Sequence, residues 1–130
     1  MNETLARQLI ADHFAAAGKD EGVAAEIFAD DAVVEWPQSG ERILGKRRIV
    51  GLHEAAPVSI DIEVRRTIGC DDLWITEGTI RYDGTRPTKA VFIMEFRDGK
   101  VVRETDYFGD PFDPPEYRSA FVEPMSPDER

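Results

Sequence analysis

One cysteine, Cys70, stands in the 130 residues, so no internal disulfide can form and no cysteine cluster can hold a structural metal. Only two histidines are present, His13 and His53. They lie far apart, match no metal-ligand spacing, and give no positive sign of a metal site. Basic residues are also scarce: 16 Lys and Arg against 26 Asp and Glu leave a net charge of −10. Nucleic-acid binding needs phosphates neutralised by Lys and Arg, so this balance argues against it. The one basic cluster, Lys46-Arg47-Arg48, is too short to reverse that and reads as a solvated helix start. No apolar run approaches the roughly 20 residues of a membrane span. The opening MNETLARQLIADHF lacks the basic-then-apolar pattern of a secretion signal. The expectations are therefore no nucleic acid, no membrane and a cytoplasmic location.

What is present is globular: 42% hydrophobic and 32% charged residues. Leu5, Leu9, Ile10, His13 and Phe14 recur near helical spacing, predicting a helix over 3–17 with Asn2 or Thr4 as its cap and Gly18 as its stop. A second helix is predicted over about 20–29, closed by Asp30-Asp31. Ala32–Trp36 reads as a short strand stopped by Pro37, Gln38–Glu41 as a turn, and 46–55 as a third helix. Four strands rich in β-branched and aromatic residues follow: 59–68, 73–82, 89–97 and 100–108. Their separators are turn chemistry, namely 69–72, Asp83-Gly84-Thr85 and Asp98-Gly99, the last a strong hairpin signal. Five of the eight prolines fall after Asp110, so 110–130 is expected as an irregular tail with one short turn. No repeat or long linker divides the chain, and 1–130 reads as a single α+β domain with helices on one face of a sheet.

The element order helix, helix, short strand, helix, four long strands resembles the nuclear transport factor 2-like fold. Phe28–Pro37 (FADDAVVEWP) is similar to the corner where ketosteroid isomerases pass from the second helix into the first strand. Asp98–Phe108 (DGKVVRETDYF) resembles the last hairpin of SnoaL-like polyketide cyclases and of limonene-epoxide hydrolase. The resemblance covers roughly 3–110. It implies a cone in which a curved antiparallel sheet packs on three helices around a pocket, and it implies a homodimer through the convex face. Alternation sends Trp74, Thr76, Gly78, Ile80 and Tyr82 to one face of their strand, and Phe92, Met94 and Phe96 to one face of the next. These large apolar sets suit the concave side.

In the last strand, the register taken from the resemblance puts Val102, Glu104, Asp106 and Phe108 on one face. Asp106 matches the aspartate that activates water in limonene-epoxide hydrolase, and SnoaL-like cyclases use a pocket carboxylate as acid and base. The implied catalytic set is Asp106, assisted by Glu35 at the cone mouth or by His13. The implied ligand-binding set is Trp36, Trp74, Phe92, Met94 and Phe108. Among aromatic neighbours a carboxylate's charged form is disfavoured, which raises its pKa toward working pH. Structural readings stand beside these: a strand carboxylate can bond a backbone amide or an arginine such as Arg42, Arg66 or Arg118, and His13 can be a bonded core histidine. Cys70, beside two aspartates, is read as inert.

Departures from the named enzymes matter. Where ketosteroid isomerases carry their catalytic Asp, oxyanion-stabilising Asp and helix-one Tyr, this chain has Trp36, a position near Phe92, and Ala11 or Asp12. The Arg and Asp of limonene-epoxide hydrolase fall on Gly78 and Ile80, and its Tyr and Asn near Val33 and Glu35. Three readings follow. One is a cofactor-independent isomerase, cyclase or lyase acting on a small apolar molecule through Asp106. The others are a non-catalytic binding module, and a dimerisation domain whose cone is filled by its own side chains. Phe112, Tyr117 and Phe121 of the tail either cap the mouth or lie in a surface groove.

Overall fold

The computed structural model describes residues 1–83 and 86–130, with Arg86 as backbone only. Helix α1 (Glu3–Ala16) starts where Asn2 Oδ1 accepts the Leu5 amide at 3.1 Å, satisfying one donor that the helix cannot. Its apolar stripe Ala6, Ile10 and Phe14 is buried at the i, i+4, i+8 spacing of one helix face. Gly18 follows with φ 80°. A Cβ there would lie 2.5 Å from the Ile60 carbonyl oxygen, so both the backbone and the close approach call for glycine.

The second helical segment is shorter than its sequence pattern suggests. Helix α2 spans only Glu21–Ala24, capped by Asp20, and one 3-10 turn covers Ala25–Ile27. Strand β1 (Phe28–Trp36) already begins at Phe28, which pairs with Val101. Asp30 and Asp31 therefore sit inside β1, in the register shift between Phe28 and Val33, and do not close a helix. Strand β2 (Glu41–Leu44) returns antiparallel to β1. Its four residues alternate too briefly to separate from the preceding turn by pattern alone. Helix α3 (Lys46–Ala55) covers the predicted range.

Strands β3 (Ile60–Cys70), β4 (Leu73–Tyr82), β5 (Arg86–Arg97) and β6 (Lys100–Gly109) form an antiparallel meander. The Asp98-Gly99 turn has φ 52° and 76°, the left-handed pair that a two-residue hairpin needs. Asp71 and Asp83 adopt the same φ of 52°, while Gly84 and Thr85 lie outside the described residues. The curved, unclosed sheet has the order β2-β1-β6-β5-β4-β3. It is mixed rather than wholly antiparallel, because β6 comes to rest beside β1 and runs parallel to it. The intervening helix and meander supply the crossover that parallel neighbours require.

One face of the sheet packs on the helices. Trp74, Ile80, Phe92, Met94, Phe96 and Val101 join Ile10, Phe14, Phe28 and Ile49 in the buried core. A bulge sets the side-chain register of β6. Glu95 pairs with Arg103 and Phe96 with Val101, so Val102 is the extra residue. Val101 rather than Val102 is thereby buried, and Glu104 and Asp106 still face inward. On the outer face, cross-strand pairing aligns Ile68, Ile75, Ile93 and Thr105 in one row.

The tail holds two 3-10 turns, Glu116–Arg118 and Pro127–Glu129. Phe112, Tyr117 and Phe121 are 77%, 78% and 87% exposed. They neither line the concave cavity nor lie in a groove of their own chain. No helix among the described residues is long and apolar enough to cross a membrane.

Candidate functional site

The concave face encloses a cavity of ≈ 430 Å³ between the sheet and the ends of α1 and α3, within the range of small-molecule sites. The cone is thus not filled by its own side chains. Phe14, Phe28, Ile80, Phe92 and Phe108 belong to its apolar wall. The rings brace one another: Phe14 to Phe92 at 4.9 Å between centroids, Phe92 to Phe108 at 6.4 Å, and Trp36 to Phe108 at 6.1 Å. Tilted and edge-to-face pairs of this kind favour a fixed arrangement.

Two carboxyl groups share this wall. Glu104 and Asp106 are two residues apart on β6, so the strand's period of two puts both on the inner face. Their cross-strand neighbours on β5 are Met94 and Phe92, and they are 6% and 3% exposed. The Trp36 indole Nε1 donates to Asp106 Oδ2 at 2.9 Å. Glu104 Oε1 and Asp106 Oδ1 meet no hydrogen-bond donor, and the two side chains lie close enough for each to bear on the other's ionisation. A single proton between the carboxyls would satisfy both atoms.

The electrostatics favour that state. Burial raises Asp106 to about 6, against the lowering effect of its bonds from Glu104 and Trp36. Burial first, and then the negative charge of Asp106, raise Glu104 well above the ordinary carboxyl range. Two like charges in an apolar wall oppose each other's ionisation.

The other polar groups gather at the mouth. His13 Nδ1 lies 2.6 Å from the Ala24 carbonyl oxygen, and its ring meets Phe14 and Phe28 edge-on at 4.8 and 5.6 Å. A carbonyl only accepts, so Nδ1 carries the hydrogen. His53, on the last turn of α3, lines the same cavity, with Glu21, Lys19 and Tyr82. Burial lowers the pKa of both histidines; for His13 the Ala24 bond opposes this, and Glu21 opposes it for both. Both imidazoles are therefore neutral at pH 7.

The remaining expected residues lie elsewhere. Glu35 points away from the cavity and is bracketed by Arg42, at 3.2 Å, and by Arg103. Parity explains this: Val34 is the buried residue of that stretch of β1, and its neighbour faces outward. Trp74 is core: it is 1% exposed, donates to the Asp71 carbonyl at 3.0 Å, and carries Arg7 over its ring at 5.2 Å. Met94 is 1% exposed and also contributes to the core rather than the cavity lining. Trp36, Phe92 and Phe108 line the cavity together with Asp106 and His13. Sequence reasoning did not assign a role to Glu104, although its i−2 spacing from Asp106 places it on the same face. It also passed over His53, which no local pattern marks. Among the described residues, no group of three or more His, Cys, Asp or Glu could hold a metal ion. Cys70 is exposed and free.

The sequence profile of the SnoaL-like domain matches residues 6–104. The structure of a nuclear transport factor 2-like protein of unknown function from Burkholderia xenovorans is 45% identical. It matches 97% of this chain and 99% of that one, with a TM-score of 0.84. A Kribbella flavida structure, assigned by its name to the ketosteroid isomerases, is 25% identical over 94% and 90% of the two chains, with a TM-score of 0.85. A limonene-epoxide-hydrolase-like enzyme from Mycobacterium tuberculosis, 23% identical over 81% and 83%, shares the fold with a TM-score of 0.67. No functionally curated protein matches significantly.

Proposed function

The chain belongs to the SnoaL-like family of the nuclear transport factor 2-like fold, and from that footing we propose that it binds a small, largely apolar molecule and moves a proton on it without a cofactor. The reaction is of isomerase, cyclase or lyase type. The observation that carries this reading is the Glu104–Asp106 pair in the wall of an open apolar cavity. Asp106 is the base: ionised near neutrality, it takes a proton from a carbon next to a carbonyl. Glu104 is the acid: its proton can turn from Asp106 to the oxygen on which charge develops. Trp36 orients Asp106 and holds part of its charge through the indole N–H. Glu35 has no part, being committed to two arginines outside the cavity.

Deuterium uptake at the α-carbon of small cyclic and aryl ketones, followed by NMR in D2O, tests this. Uptake should be accelerated with a pH midpoint near 6. Asp106→Asn should lower it by about 10²-fold or more. Ligand binding with no exchange for any ketone would favour a non-catalytic binding module, which the low exposure of Asp106 and its Trp36 bond also support.

We also propose a homodimer through the outer face of the sheet. The row of Ile68, Ile75, Ile93 and Thr105 is flanked by Leu73 and Tyr107, which are 49% and 44% exposed. Contiguous exposed apolar surface of this kind marks an interaction site. Light scattering should give twice the 14.6 kDa chain mass. Ile75→Lys should give the monomer mass, and a wild type that is monomeric at micromolar concentration would remove the proposal.

A further inference from the structure

The histidines at the mouth are not used by the proton transfer proposed above, yet one of them makes a definite demand on any ligand. His13 Nδ1 is committed as a donor to the Ala24 carbonyl. Burial keeps the ring neutral, so Nε2 carries a lone pair and no hydrogen. Among the described residues none donates to Nε2, and its residue lines the cavity. Phe14 and Phe28 hold the ring edge-on from two sides, so it cannot turn without breaking the Ala24 bond. His53 lines the same cavity. Among the described residues no hydrogen bond occupies its ring nitrogens, so it can offer one N–H and one lone pair.

We infer that the cavity mouth is a hydroxyl-binding station: the ligand carries a hydroxyl group on its apolar skeleton that donates to His13 Nε2 and accepts from His53, while its other polar end meets the carboxyl pair. A carbonyl or ether oxygen would only accept, and would leave Nε2 unpaired in a buried place. A hydroxyl satisfies both imidazoles at once. The apolar wall of the cavity, which includes Phe14, Phe28, Phe92 and Ile80, sets the skeleton's character. The ligand class is thus a small hydroxylated ring compound with a second polar group remote from the hydroxyl. This inference rests on the cavity being a ligand site, and it holds for an enzyme and for a binding module alike.

The test uses the full chain and three probes: 4-hydroxyacetophenone, its methyl ether and acetophenone, with affinities measured by calorimetry at about pH 7.5. The hydroxyl compound should bind about tenfold or more tighter than either of the others. That preference should fall to less than about twofold in His13→Phe, which keeps an aromatic ring and loses both nitrogens. If that variant unfolds, the readout moves to wild type with 15N-labelled histidine. There the Nε2 resonance should shift on adding the hydroxyl compound and stay put with the methyl ether. Equal affinity for the hydroxyl compound and its ether, or an unmoved Nε2 resonance, would overturn the hydroxyl station and leave the carboxyl pair untouched. Failure of all three probes to bind at millimolar concentration would overturn the inference together with the ligand-site reading beneath it.

Discussion

Replacing Asp106 by Asn removes a charge and keeps a shape, and the structure sets the size and sign of the effect. The unfolded carboxyl titrates near 3.8 and the folded one near 6. Between those values the folded chain holds a proton that the unfolded chain has lost. Stability therefore falls as pH rises through about 4 to 6, and the deficit is constant above that. At about 1.4 kcal/mol per tenfold difference in proton affinity, the deficit is ~3 kcal/mol. The raised pKa of Glu104 acts with the same sign. Asn avoids the Asp106 deficit. It still accepts from Trp36 Nε1, but as a neutral acceptor, which returns about 1 kcal/mol. The variant should thus match wild type at about pH 7.5 or exceed it by up to ~2 kcal/mol, with a flatter profile between pH 4 and 6. Urea unfolding, read from the fluorescence of Trp36 and Trp74, gives both quantities. A loss of ~2 kcal/mol or more at about pH 7.5 would refute the reasoning: Asp106 would then anchor the fold as an ion pair or bonded group does.

Other substitutions have equally definite outcomes. Trp36→Phe removes the indole donor that lowers Asp106, so the Asp106 midpoint should move above 6 in a carboxyl NMR titration. Glu35→Gln should change stability by less than about 1 kcal/mol, because its ion pairs are at the surface, and should leave ligand affinity unchanged in calorimetry. Gly69→Ala would set a Cβ 2.3 Å from the Leu73 carbonyl oxygen and 2.6 Å from the Trp74 ring; it should lose ~2 kcal/mol or more in urea unfolding. Gly51→Ala, on α3 with nothing within 4 Å of the new Cβ, should gain about 0.5–1 kcal/mol in the same assay.

Long elements with one strong period were legible in the sequence. The helical period of α1 and the alternation of Trp74, Thr76, Gly78 and Ile80 each mark a buried face, although in α1 Ala6 is buried with Ile10 and Phe14 while the expected Leu5 is 49% exposed. Asp98-Gly99 announced its hairpin because few other residue pairs take two positive φ angles. What failed was set by distant partners. Phe28 leaves the helical pattern because Val101, far along the chain, pairs with it, and no local propensity encodes that. The parallel β1–β6 contact is likewise a property of topology.

The candidate site divides the same way. Asp106 could be placed because motif and parity agreed. Glu35 was placed at the mouth by analogy, but Val34 takes the inward position beside it, and Arg42 and Arg103 claim its carboxylate outside. Trp74 and Met94 were correctly set on the inner face, where the helices cover them and leave them in the core. Alternation names a face; it does not say which part of that face stays open. Glu104 and His53 gain meaning only from the cavity they share with Asp106 and His13.

Glu104 and Asp106 should hold one proton between them near neutrality. Carbon-13 NMR of the side-chain carboxyls, titrated from about pH 3 to 9 and assigned with Asp106→Asn and Glu104→Gln, measures it directly. Asp106 should titrate near 6, with Glu104 still protonated at higher pH. Two independent midpoints near 4, the ordinary range for Asp and Glu, would contradict the shared proton and with it the assignment of acid and base.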